Sequence, residues 1–350
     1  MPTLNIATFA SATVMGAQVY EEAIAERASA ALDKVSGGWS VRRTVVRPIR
    51  SDLRGNRRLP MGWMSSASPA ARRQVGRVIY PQGALTHRMT IRLPPSPSGD
   101  VLTLHDVTPW THPDELSAPR AAAEEVRQAE AVITVSEFSA VEIEKRFGVT
   151  AHVIPNGLDQ RMLEALPLPQ RLRTALGLSE SYVLTAGGAS IRKNLESLAS
   201  AWRRIEAQYP DTVLALAGPE HPRRTELFAD LPRVVLLGRV PDELLPGVFA
   251  SASAVVVPSL YEGFGIPALE GMAVGVPVVA SNRTSLPEVV GDGGILVEPS
   301  SEGLSEGIEF ALSGDADVDA IAQRGRVRAA EYTWDKAAIK HAQLWASLGA

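Results

Sequence analysis

The chain contains 350 residues, 45% of them apolar and 21% charged, with a formal net charge of −4 and no cysteine. That length exceeds what one hydrophobic core usually holds, so two domains are expected, and no apolar run approaches the roughly 18–20 residues of a membrane span. The missing thiols exclude disulfides, thiolate zinc sites and cysteine nucleophiles, and they fit a cytoplasmic protein.

The first residues, "MPTLNIATFASATVMGA", lack a basic leader region and read as a strand, "LNIATFA", running into a loop. "YEEAIAERASAAL" predicts a helix and "SVRRTVVRPI" a second strand. Residues 41–92 then hold twelve arginines, no lysine and one acid, Asp52. This segment carries +11, so the other residues carry about −15 of the chain's −4. Three readings of it compete: a solvated surface, contact with an anionic bilayer, or binding of an anionic acceptor. Nucleic acid is excluded by the acidity of the remainder. "RLPPSPSGD", ending at Asp100, predicts a flexible loop.

Alternation follows: strand "VLTLHDV", helix "PRAAAEEVRQA", strand "AVITVS", helix "EFSAVEIEKRFG" and strand "AHVIPNG". After "PLPQRLRTALGLSES" it restarts with "YVLTAGG", a helix from Asn194, "TVLALAGP", "RVVLLGRV", "SAVVVPSL", a glycine turn with its helix, and "VPVVAS". β-branched runs alternating with helices indicate parallel α/β layers. Two successive units of about 150 residues predict two Rossmann-like domains facing across a cleft, with ligand at the carboxyl ends of the strands. The expected division is 1–160 and 161–332, with 333–350 a closing helix that ends in either domain.

The turn "YEGFGIPALE" sets Glu262 and Glu270 on either side of Gly263, Phe264, Gly265 and Ile266. The glycines permit close approach of backbone to a ligand, and Pro267 favours a helix start suited to phosphate. Carboxylates beside phosphate repel it unless they hold hydroxyls attached to it, which a nucleotide-sugar supplies. Either glutamate alone has an ordinary explanation, Glu270 as a first-turn helix acid and Glu262 as a solvated loop residue. In "YVLTAGGASIRKNLESL", a strand ends at Gly187 and Gly188 and a helix opens behind Arg192 and Lys193. That arrangement suits a diphosphate, although solvated cations on a surface turn would read the same way. In "TLHDVTPW", His105 stands at a strand end, hence at the cleft mouth, or else is a hydrogen-bonded structural histidine. The aspartates of "GDADVDA" read as helix N-caps, not a cation site.

"SLYEGFGIPALEGMAVGVPVVASNRTSLPEVVGDGGILVEP" closely resembles the E-x7-E region of retaining GT-B-fold glycosyltransferases of family 4, and the resemblance extends from "VLTLHDVTPW" to the end of the chain. It implies that Glu270 binds the donor ribose, Glu262 the transferred sugar, and Arg192 and Lys193 the diphosphate. It also implies that the backbone of Gly263, Phe264, Gly265 and Ile266 meets the diphosphate region and that of Val240 meets the base. His105 would hydrogen-bond a sugar hydroxyl, with Asp106 orienting its loop. Relatives carry Gly-Gly in the first loop; here it reads "SATVMGAQVYEE", with Gly16 followed by Ala17. "AVITVSEFSA" and "VIPNGLD" resemble mainly structural family segments, with Ser136 an N-cap and Asn156-Gly157 a turn at the domain junction.

The implied activity is transfer of a hexose from a nucleoside-diphosphate sugar to a hydroxyl acceptor, a saccharide or lipid-linked saccharide in glycan biosynthesis, with retention and without metal or other cofactor. Wording such as "YEGFG-P-LE" favours mannose and GDP-mannose over UDP-glucose or dTDP-sugars. The implied location is cytoplasmic, with peripheral contact at the inner face of the membrane through residues 41–92. A nucleotide-sugar epimerase of the same fold and a non-catalytic nucleotide-sugar-binding protein are the alternatives.

Overall fold

A computed structural model describes residues 1–11 and 16–349. The chain divides into two compact units, Met1–Gly157 with Trp334–Ala350, and Leu158–Thr333. The first contains β1 (Thr3–Phe9), β2 (Ser40–Pro48), β3 (Arg57–Leu59), β4 (Leu85–Arg88), β5 (Asp100–Thr103), β6 (Ala131–Thr134) and β7 (His152–Val153). The second contains β8 (Ser181–Ala186), β9 (Thr212–Ala217), β10 (Val234–Gly238), β11 (Ala254–Val257), β12 (Val278–Ser281) and β13 (Ile295–Val297). Every strand pairing is parallel.

The sheet orders are β3-β2-β1-β4-β5-β6-β7 and β10-β9-β8-β11-β12-β13. Each follows the doubly wound order, in which the chain reverses direction across the sheet beside its first strand. The switch points are therefore β1/β4 and β8/β11. Central strands are buried on both faces, which explains the unbroken apolar runs "AVVV" and "AVIT". In the second unit, helix Leu195–Ile205 packs Leu198 and Trp202 into a core with Leu214, Val256 and Ile308.

The closing helix Trp334–Leu348 packs on helix Gly16–Val35 in the first unit. A buried chain of hydrogen bonds holds it. His341 Nδ1 lies 2.8 Å from the Ala337 carbonyl, which can only accept, so Nδ1 carries the proton and Nε2 accepts from the Tyr20 hydroxyl at 2.8 Å. Trp345 Nε1 donates to His87 Nδ1 at 3.3 Å, so His87 Nε2 donates to Thr103 Oγ1 at 2.8 Å. Thr103 then donates to Tyr20 at 3.0 Å, and the sequence of donors closes with both imidazoles neutral. Burial agrees, lowering His341 to about 4 and His87 well below 6.5.

Two sequence expectations are corrected in the basic segment. The loop ending at Asp100, expected to be flexible, is packed against the unit: Leu93 and Ser96 are buried, and Tyr80 donates to the Pro94 carbonyl at 2.9 Å. Two of the arginines are not surface charges either. Arg72 and Arg88 are fully buried, Arg72 against Glu125 and the carbonyls of Met64, Ile91 and Leu93, Arg88 against Asp100 at 2.7 Å and Glu125 at 3.2 Å. The guanidiniums satisfy carbonyls that the proline-rich loop leaves without strand partners. Arg43 is paired with Glu22. Arg50, Arg54, Arg57 and Arg58 remain exposed near the β3 edge, with Ile49 and Trp63, and β3, two short helices and β4 occupy residues 57–88, where no element had been predicted.

Candidate active site

The residues after β8 and β11 converge at the switch point of the second sheet. After β8 the backbone takes positive φ at Gly187 and then forms a short 3-10 turn, Ile191–Lys193. Asn194 ends that turn in a left-handed conformation (φ 54°), which Asn tolerates better than most residues. Its side chain donates to the Pro258 carbonyl at 2.9 Å and the Pro299 carbonyl at 2.8 Å, anchoring the turn on the loop beyond β11. Leu260 N–H donates to the Arg192 carbonyl at 2.8 Å, a second tie between the two segments.

These ties bring together residues about 70 positions apart. Glu262 is 6% exposed, and its carboxylate accepts from Lys193 Nζ at 2.6 Å, Arg192 at 3.1 Å and Ser259 Oγ at 2.7 Å. Burial alone would raise its pKa, but the adjacent Lys193 and Arg192 charges outweigh burial and hold it below the ordinary 4.5. Arg192 also donates to the Tyr261 carbonyl at 3.1 Å. The Glu262 backbone is fixed on both sides, its N–H donating to Thr284 Oγ1 at 3.0 Å and its carbonyl accepting from Ser285 Oγ at 2.9 Å.

Helix Ile266–Val274 follows. Its N-cap, Gly265, has φ 102°, and a Cβ there would lie 2.6 Å from Leu286 Cδ2, so glycine is required twice over. Phe264 is buried with its ring edge-on to Tyr332, leaving only its backbone for a ligand, beside the buried Gly263. Glu270 is not a first-turn acid, as the sequence reading had it: Ile266 and Pro267 open the helix, placing Glu270 in the second turn. The macrodipole therefore does not account for it. Burial, helped by the Asp159 charge, pushes its pKa up to about 8. One glutamate is thus ionised and paired, the other strongly disposed to be neutral.

Of the other expected residues, Gly188 borders open space and Val240 is buried just beyond β10. His105 belongs to the first unit, two residues beyond β5, where the Tyr20 ring meets it edge-on at 4.8 Å. Its Nε2 is buried without a partner among the described residues, and burial lowers its pKa although Asp106 pulls the other way. Asp106 accepts from Thr108 N–H at 2.9 Å, capping the turn that follows. Gly16 is the first residue of helix Gly16–Val35, and residues 12–15 of the expected first-loop motif lie outside the described residues. Asp315 caps helix Ala316–Ala329 by accepting from Asp317 N–H at 2.9 Å, and Ser136 caps Glu137–Phe147. No group of three or more potential metal ligands occurs among the described residues, and no described helix is long and apolar enough to cross a membrane. Sequence reasoning missed Ser259 and Thr284, whose only trace is their position inside the resembling segment.

Residues 170–328 match the family model for glycosyl transferases group 1. O-antigen chain mannosyltransferase B of Escherichia coli is 34% identical over 257 residues, covering 67% of this chain and 67% of the relative. MMP alpha-(1->4)-mannosyltransferase of Mycolicibacterium hassiacum is 34% identical over 223 residues, covering 61% of this chain and 53% of the relative. The fold matches that of sucrose-phosphate synthase from Thermosynechococcus elongatus over 98% of each chain, with a TM-score of 0.74 at 22% identity.

Proposed function

The chain belongs to the group 1 glycosyl transferases, with a GT-B fold and hexosyltransferase activity, and on that premise we propose that it transfers mannose from GDP-mannose to a saccharide or lipid-linked hydroxyl acceptor, with retention of configuration. The observation that carries this reading is the convergence of Arg192, Lys193 and Glu262. Two cations with side chains 17% and 15% exposed are held at the mouth of a parallel sheet, where α/β enzymes bind phosphate. The mannosyltransferase relatives favour the sugar, and with it GDP over UDP or dTDP as the carrier.

In this reading the first unit takes the acceptor and the second the donor. As the bond between the anomeric carbon and the departing phosphate lengthens, positive charge spreads over the sugar ring and negative charge grows on the diphosphate. Arg192 and Lys193 stabilise the diphosphate from fixed positions, with no reorganisation needed at the moment of reaction. The same two cations make a divalent metal unnecessary. Glu262 accepts from hydroxyls of the transferred sugar and spaces the cations, while Glu270 grips the ribose hydroxyls. The backbone of Gly187, Gly188, Gly263, Phe264, Gly265 and Ile266 lies along the diphosphate, that of Val240 meets the base, and Gly16 closes from the first loop. His105 Nε2 hydrogen-bonds a hydroxyl of the transferred sugar. Among the described residues we assign no carboxylate as a covalent nucleophile, so in this reading the acceptor enters on the face from which the diphosphate leaves. The exposed Arg50, Arg54, Arg57, Arg58, Ile49 and Trp63 provide peripheral contact with the cytoplasmic face of a membrane.

Side-by-side calorimetry with GDP, UDP, ADP and dTDP tests the donor assignment: GDP should bind at least tenfold more tightly than the others. Equal or tighter UDP binding would overturn it. Proton NMR of the product's anomeric signal tests retention.

A further inference from the structure

Helix Pro222–Phe228, which follows β9, lends two adjacent arginines to the turn that leaves the neighbouring strand β8. Arg224 is 4% exposed and donates to the Gly187 carbonyl and, at 3.0 Å, to the Pro219 carbonyl. Arg223 donates to the Ala189 carbonyl and pairs with Glu196. The fit is tight: a Cβ on Gly218 would lie 1.9 Å from the Gly187 oxygen, so only glycine leaves room for that carbonyl.

No cis peptide bond occurs among the described residues, and in a planar trans peptide the carbonyl and the following N–H point in opposite directions. With both carbonyls held by the arginines, the N–H groups of Gly188 and Ser190 are turned away from them. Neither N–H has a hydrogen-bond partner among the described residues, and Gly188 borders open space. The Lys193 ammonium lies 3.8 Å from the Cβ position of Gly187, beside the same turn.

The two arginines differ in charge balance. Arg223 is neutralised by Glu196, whereas among the described residues no carboxylate forms an ion pair with Arg224. Arg224 Nε is buried without a partner, and burial lowers its pKa with no acid pulling the other way. Burying a charge without a counter-ion is costly, so this placement calls for an anion close by.

We propose that Arg223 and Arg224 are positioning residues for the donor: they hold turn 187–189 with its N–H groups toward the diphosphate, and Arg224 acts on that anion through the peptide joining Gly187 and Gly188. The order is guanidinium, carbonyl, N–H, phosphate oxygen, so the peptide dipole lies along the attraction between the two charges. The inference rests on the nucleotide-sugar reading and deepens it, adding a pair of cations that act from behind the turn to the pair in front of it.

Calorimetry on the full-length protein tests this, with GDP, UDP and inorganic pyrophosphate as probes. Arg224→Met should weaken binding of the preferred nucleotide and of pyrophosphate roughly tenfold or more. Arg224→Lys, which keeps the charge without the planar fork, should lose less, and so should Arg223→Met, whose charge is already balanced. Amide NMR of the ¹⁵N-labelled wild type gives a reading that needs no variant: pyrophosphate should move the Gly188 and Ser190 N–H protons downfield. In Arg224→Met those two shifts should shrink while the other amide signals remain those of the folded protein. Resonances of Gly188 and Ser190 that ignore bound pyrophosphate, or wild-type affinity of Arg224→Met for all three probes, overturn the proposal and leave the donor reading standing. Pyrophosphate binding that depends on Arg224 in a protein that takes neither nucleotide upholds the role of the arginines while sinking the donor assignment. A wild type that binds none of the three overturns both.

Discussion

Glu262→Gln is the most informative single change. It keeps the shape of the side chain and removes the one negative charge between Lys193 and Arg192, at 2.6 and 3.1 Å. All three side chains are largely buried, so the loss is screened weakly. At an effective dielectric constant near 20 each contact is worth on the order of 5 kcal/mol before desolvation. Breaking such a pair typically costs about 3–5 kcal/mol because uncompensated charge is left behind. The free variant should therefore melt several degrees below the wild type. A bound diphosphate would supply the missing negative charge, so GDP should restore most of the difference, and the GDP-induced shift should be larger in Glu262→Gln than in the wild type. Turnover should nevertheless collapse, because the sugar hydroxyls lose the charged carboxylate and meet a neutral amide with a single accepting oxygen. Scanning fluorimetry with and without GDP reads the first effect and a coupled GDP-release assay the second. A GDP shift equal to or smaller than that of the wild type would refute the reasoning, since the two cations would then not face the diphosphate.

Glu270→Gln should stabilise the free protein at alkaline pH. The folded-state pKa, about 8 against an ordinary 4.5, means that the unfolded chain loses its proton first and stability falls as pH rises between those values. The gain at pH 8 should reach at most about 4 kcal/mol and vanish below pH 4, as urea titrations would show, while GDP affinity drops. His341 runs the other way: its pKa is lowered to about 4 from 6.5, so the unfolded chain takes up a proton first as pH falls through that window. About 3 kcal/mol of stability should be lost from this site between pH 6.5 and 4, and Tyr20→Phe, which removes the donor to His341, should flatten little of that loss. Glu125→Gln, which leaves Arg72 and Arg88 short of one buried partner, should cost about 3–5 kcal/mol with no change in the GDP shift of the folded protein.

The alternation of "AVVV"-type runs with helices was enough to read two parallel α/β units, because a strand buried on both faces leaves an unbroken apolar run. The Glu262 motif and the Arg192-Lys193 turn were legible for a different reason: glycines and cations at a strand end have few purely local uses. Partners that come from far along the chain were not legible. Thr284 and Ser285 fix the Glu262 backbone through hydroxyls that look like any others in a turn. Arg72 and Arg88 count as surface charge in any sum over composition, and only the fold shows Glu125 and Asp100 beside them. The same pairing turned a proline-serine loop from a flexible segment into a buried one. Glu21 is one of several acids on an amphipathic helix, and nothing in its neighbours along the chain marks it as the one turned toward β1.

The central claim is that the second unit grips a pyrophosphate with Arg192 and Lys193 while Glu262 and Glu270 hold hydroxyls on either side of it. A crystal structure with intact GDP-mannose tests it most directly. The account requires the pyrophosphate within hydrogen-bond distance of both cations and alongside Gly265, the ribose on Glu270 and the mannose on Glu262. A pyrophosphate bound away from those cations, or glutamates that touch neither sugar, would contradict it.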